Sequence, residues 1–192
     1  TLVIENGPVI EVRTLGANVS RGRLRQLIPI YQERTVDRSL LLEGSRNLTN
    51  HFQAQGFFDV AVDFNQITPQ PGVQEIDYTI IRNARHKLAG IEIQGNKFFD
   101  LDTIRERLTI REAGTLRYRY GRYSSKMRDD DRDAIRDLYR ANGFRDAQVT
   151  AVTLDDYLGR QDEIGVRFEI KEGAQTFVNR LVIEGASEED AS

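Results

Sequence analysis

Gly56-Phe57-Phe58-Asp59-Val60-Ala61-Val62 returns 87 residues later as Gly143-Phe144-Arg145-Asp146-Ala147-Gln148-Val149. Five of the seven positions keep their character: Gly, Phe, Asp, a small or β-branched residue, and Val. Upstream, Leu40, Leu48 and Phe52 stand at the same offset from Met127, Ile135 and Tyr139. Two elements sharing one offset mark an internal repeat, so the fold has to be sought within one unit. A second marker occurs three times. Val12-Arg13-Thr14-Leu15-Gly16, Ile91-Glu92-Ile93-Gln94-Gly95 and Leu181-Val182-Ile183-Glu184-Gly185 are each a short alternating run closed by Gly. The third copy is expected to open a further unit that these residues do not complete, as in a piece excised from a longer protein.

Within a unit the order reads strand, helix, helix, strand, strand. In the second copy Lys87 to Gln94 is a predicted strand, and Asp100 caps a helix with Leu101, Ile104 and Leu108 at helical spacing. Ser20 takes the same part ahead of Leu24, Leu27 and Ile28, and Pro29 helps to end that helix. A connection through Thr115 to Ser125 leads to a long helix from about Lys126 to Asn142, capped by Ser124 or Ser125 and stopped by Gly143. Ala147, Val149 and Ala151 then alternate with Asp146, Gln148 and Thr150. Ile164, Val166, Phe168 and Ile170 alternate with Gly165, Arg167 and Glu169, as strands with one buried face require. Ile76, Tyr78 and Ile80 are the first-unit counterpart, reached through a turn at Pro69-Gln70-Pro71-Gly72. The expected fold class is α+β, with each three-stranded sheet covered on one face by two helices. The units are 1–82 and 83–172, and 173–192 is the first strand of a further, truncated unit. The linkers Arg82-Asn83-Ala84-Arg85 and Lys171-Glu172-Gly173-Ala174 are short, which predicts an elongated array whose units touch only their neighbours.

The composition narrows the chemistry. Lys and Arg number 27 against 30 Asp and Glu, a net charge of −3 that leaves no global electrostatic footprint for nucleic acid. With no Cys, disulfide scaffolds, thiolate metal sites and Cys nucleophiles are excluded. No apolar run approaches the ~20 residues of a membrane helix. No basic segment followed by an apolar stretch stands near Thr1, so neither a signal peptide nor a membrane anchor is expected.

Three motifs invite a chemical reading. His51 falls at the helix position of Leu138 and His86 in a linker, so neither is expected to act as a ligand or catalyst. Counted from Asp129, the run Asp129-Asp130-Asp131-Arg132-Asp133 would need Gly and Glu where Ala134 and Arg140 stand, which rules out a calcium loop. It reads as a solvated helix start paired Asp129 to Arg132 and Asp133 to Arg136. Arg117-Tyr118-Arg119-Tyr120-Gly121-Arg122-Tyr123 interleaves cations and rings as single-strand binders do, but is expected to pack its tyrosines over the helices. No Gly-x-Ser-x-Gly elbow occurs. The chain is therefore expected not to be an enzyme, with no catalytic residue, no metal and no cofactor.

Gly95-Asn96 after a strand, Tyr139-x-x-x-Gly143-Phe144 at a helix end with Phe52-x-x-x-Gly56-Phe57 before it, and Ile170-Lys171-Glu172-Gly173 closing the last strand together resemble the polypeptide-transport-associated (POTRA) family. The likeness is greatest to the arrays of BamA- and TamA-type outer-membrane assembly proteins, the bacterial surface antigen family. It covers two complete βααββ units, and departs from the family at Arg82-Asn83-Ala84, where an acidic residue and Gly are usual. The resemblance implies three-stranded mixed sheets with the second strand outermost, and a periplasmic position in a Gram-negative bacterium. It further implies a C-terminal β-barrel absent from this sequence that anchors the parent chain in the outer membrane. The implied partners are unfolded outer-membrane protein precursors and accessory assembly lipoproteins or another periplasmic partner, with no nucleic acid.

An outermost strand can lend its unpaired backbone groups to an incoming peptide, which adds as a further strand. The candidate acceptors are Val60, Ala61, Val62, Asp63 and Phe64 in the first unit and Ala147, Gln148, Val149, Thr150 and Ala151 in the second. Asp59 and Asp63 charge the first edge, whereas Gln148 and Thr150 leave the second uncharged, so the second is expected to accept peptide better. Two alternatives remain open here: a POTRA region of a two-partner secretion transporter or division protein, and an RNA-binding array built on the Arg and Tyr segment.

Overall fold

The structure is a computed structural model and describes residues 8–33, 35–177 and 180. The expected strand at Leu181 to Gly185 lies outside the described residues.

The first unit runs β1 (Val9–Leu15), α1 (Arg21–Leu27), α2 (Ile30–Glu33), α3 (Arg38–Gln53), β2 (Ala61–Gln70) and β3 (Val73–Ile81). The second runs β4 (Lys87–Gln94), α4 (Leu101–Arg105), α5 (Ser125–Ala141), β5 (Gln148–Leu154) and β6 (Glu163–Lys171). The sheet orders are β1-β3-β2 and β4-β6-β5, with the first pair parallel and the second antiparallel in each. Each unit is thus an α+β module with a mixed sheet, and its second strand is an edge. Ser20, Asp100 and Ser124 cap α1, α4 and α5 through the amides of Arg23, Thr103 and Met127. Gly56 and Gly143 close the long helices at φ +93° and +91°, a region where a side chain would be strained.

Three features differ from the expectation. The first unit carries an additional helical turn, α2, because Pro29 ends α1 and its carbonyl then accepts from the amides of Gln32 and Glu33. Val60 and Ala147 precede β2 and β5 rather than belonging to them, and both are buried. Asp131 is only 1% exposed, so the acidic run is not a solvated helix start throughout. Its carboxylate accepts from the Thr109 amide and hydroxyl, both at 2.8 Å, and from the Ile110 amide at 2.9 Å, pinning the end of the α4 region to α5. Asp129–Arg132 and Asp133–Arg136 do pair, at 3.6 and 2.9 Å.

Two cores form, around Leu48, Tyr78 and Ile28 in the first unit and around Ile135, Tyr139 and Phe168 in the second. Phe58 belongs by sequence to the first and by packing to the second. It is 7% exposed, meets Tyr123 edge-on at 4.9 Å, and lies over the His86 ring. Around this plug the linker is latched. The His86 amide donates to the Gly56 carbonyl at 2.8 Å, and Arg85 lies between the rings of Phe57 and Tyr120. The Gln53 amide group takes the Ser125 N–H at 2.8 Å, at the start of α5, and donates to the Phe58 carbonyl at 2.9 Å. On the opposite face of the second sheet, the loop after β5 folds back so that the Tyr157 ring lies against Gly90 and Gly165 on adjacent strands. A Cβ on either glycine would collide with the ring.

Candidate functional site

In an antiparallel pair, alternate residues spend their N–H and C=O on the partner strand and the residues between present theirs outward. On β2 the outward set is marked by its contacts. Ser45 Oγ, from α3, donates to the Val62 carbonyl at 2.7 Å, and the Phe64 N–H donates to the carboxylate of the adjacent Asp63 at 2.8 Å. Two of the groups a new strand would need are therefore already engaged. Asp59, at the head of this edge, lies 3.0 Å from His86 Nε2. A groove of about 490 Å³ runs along β2, lined by Val62, Asp63, Phe64, Thr79 and Ile81 among others.

On β5 the corresponding outward residues are Val149 and Ala151, which face Ile170 and Phe168 as Val62 and Phe64 face Ile80 and Tyr78. Among the described residues, no side chain bonds to the backbone of residues 148–152. The solvent face of this strand presents Gln148, Thr150 and Val152, with no charge. Val149 and Ala151 point into the core and hold the strand flat on α5. The far end is tied down where the Thr153 hydroxyl meets Tyr123 Oη at 2.9 Å and Arg128 Nη1 at 3.0 Å. The sequence places Gln148 and Thr150 on the edge, but their own amides face β6; the outward amides are those of Val149 and Ala151.

The other candidates are absorbed by structure. Tyr123 is buried and Tyr120 stacks under Arg85, which leaves Tyr118 as the exposed ring of the Arg and Tyr segment. His51 is half-buried and its Nε2 lies 3.0 Å from Gln55; burial, together with the nearby Arg23 charge, lowers its pKa. Among the described residues no group of His, Asp and Glu could hold a metal ion, and no helix is long and apolar enough to cross a membrane. What sequence reasoning missed is the engagement of β2: Asp63 is visible as a charge, but its bond to Phe64 and the reach of Ser45 are not.

A family model described as POTRA, surface antigen variable number repeat, matches residues 8–81 and again 86–173. Among solved structures, BamA POTRA3-5 of Haemophilus influenzae is similar at a TM-score of 0.55 and 16% identity, over 86% of this chain and 61% of that one. BamA of Haemophilus ducreyi lacking POTRA domains 1-3 is similar at 0.57 and 14%, over 87% of this chain and 29% of that one. At such identities the likeness is one of fold, and the chain spans less than two thirds of either relative.

Proposed function

The chain belongs to the POTRA family, and on that premise we propose that it is the periplasmic array of an outer-membrane β-barrel assembly or translocation protein. In this reading it receives unfolded outer-membrane precursors and accessory proteins by strand addition, and works without catalysis or a cofactor. The units are taken as 1–82 and 83–172, with 173–192 leading into the next.

The observation that carries the reading is the bare outer side of β5. Its uncharged face and the Val149 and Ala151 groups, unengaged among the described residues, suit main-chain pairing, which is indifferent to the side chains of the guest. The first edge offers less, since Ser45 and Asp63 occupy Val62 and Phe64. Photocrosslinking of an extended peptide from a side chain placed at Thr150 tests this. Ala151→Pro removes an outward donor while leaving the β6 ladder intact, and should abolish most of the crosslink. An undiminished crosslink would refute β5 as the acceptor. Conversely, Ser45→Ala with Asp63→Ala should raise crosslinking along β2.

A further inference from the structure

The first strand of each sheet also has an outer side, and the two units treat it differently. The Val9 amide donates to the Gly72 carbonyl at 2.8 Å, so Val9, Glu11, Arg13 and Leu15 turn their backbone groups to β3. Ile10, Val12 and Thr14 therefore turn theirs away. In the second unit the chain itself closes this side. The Leu88 amide donates to the Tyr120 carbonyl at 3.0 Å, the Ala113 amide to the Leu88 carbonyl at 2.7 Å, and the Ile91 amide to the Glu112 carboxylate at 2.9 Å. The cover comes from the long connection between α4 and α5. In the first unit that connection is shorter and partly coiled into α2, and among the described residues nothing bonds to Ile10, Val12 or Thr14 from outside. Val12 and Ile91 each stand four residues before the closing glycine of their strand, so the amide that Glu112 serves in one unit is bare in the other.

The open side of β1 forms one wall of a groove of about 440 Å³ whose other wall is α1 with Tyr31 of α2; Leu24, Arg21 and Arg25 line it, and the acid that also lines it, Glu11, is paired with Arg13 at 3.3 Å. α1 carries three arginines and no acid. Arg21 and Arg25 are exposed and have no carboxylate partner among the described residues.

We propose that this groove receives an extended acidic segment of another protein, added as a fourth strand beside β1 with carboxylates at every second position set against Arg21 and Arg25. In the second unit the Glu112 carboxylate takes up the matching outer position, where it accepts from the Ile91 amide itself rather than from an arginine. The site shares with β5 only the principle of strand addition, and the two are read out by different amides.

Nuclear magnetic resonance titration of the 192-residue chain with a short peptide alternating Val and Glu tests it, against the same peptide with Lys for Glu. The acidic peptide should shift and protect the amides of Ile10, Val12 and Thr14, more strongly at low salt. Arg21→Glu with Arg25→Glu, both on an exposed face, should weaken this binding by about tenfold or more while leaving shifts at Val149 and Ala151 unchanged. Val12→Pro should weaken it without the charge change. Equal binding of the Lys peptide, indifference to the arginine reversal, or shifts confined to β5 would each overturn the proposal. So would protection of the Val12 amide before any peptide is added, which would show that the chain already fills its own groove.

Discussion

Truncating Phe58 should destabilise the unit to which it does not belong by sequence. Its ring is almost wholly buried among second-unit residues and meets Tyr123 edge-on. Phe to Ala at a buried site costs about 3–5 kcal/mol, which includes the loss of an aromatic pair of about 1 kcal/mol. The cavity opens between Tyr123 and His86, at the joint, where the linker can partly collapse into it, so the lower end of the range is expected. At about 3 kcal/mol, amide exchange governed by opening of the second core should accelerate on the order of a hundredfold. Native-state hydrogen exchange of Phe58→Ala in the full chain reads this directly. The amides of Ile135, Tyr139, Val166 and Phe168 should speed up, and those of Leu48, Ile76 and Tyr78 should not. Acceleration confined to the first unit would refute the assignment of Phe58 to the second core. A uniform acceleration would mean that the two units open as one.

Glu172→Gln should weaken the second unit and flatten its acid dependence. Burial opposes the charge of this carboxylate, but the amides of Phe98 at 2.8 Å and Lys97 at 2.6 Å and the Tyr139 hydroxyl outweigh it and hold its pKa below the ordinary value. A depressed carboxyl contributes stability that is complete above about pH 4.3 and is lost as the pH falls through its lower folded value. The urea midpoint of the unaltered chain should therefore fall more steeply in acid than that of the variant. Asp131→Ala strands the Thr109 and Ile110 amides without acceptors and should cost roughly 2–4 kcal/mol. A lowered urea midpoint at unchanged slope would show it, and a cost under about 1 kcal/mol would mean that water replaces the carboxylate.

The repeat was legible because its glycines and alternations are local requirements. Gly56 and Gly143 take the same positive φ, and Ile76, Tyr78, Ile80 and Ile164, Val166, Phe168, Ile170 are buried as their period of two demands. Asp131 could have been placed as well, since it shares a helical stripe with Ile135 and Tyr139, at intervals of four. Phe58 left a fainter trace: it stands where the second copy has Arg145, and a large apolar residue at one unmatched position of a repeat points to a role in one joint only. The closure of β4 by Glu112 and the contact of Ser45 with Val62 had no such trace. Both depend on how far a connection reaches across a finished sheet, which neither propensity nor periodicity encodes. The candidate acceptor strands were thus locatable from pattern, but which of their backbone groups remain available was not.

Gly90, Gly165 and Tyr157 form a slot and its insert, and the three cannot vary independently. Among relatives of this chain, a methyl group at either glycine position is compatible only with a loop that has given up its ring, whereas loss of the ring alone would leave two side-chainless positions side by side on a bare sheet. Natural variants are therefore expected to exchange the trio together.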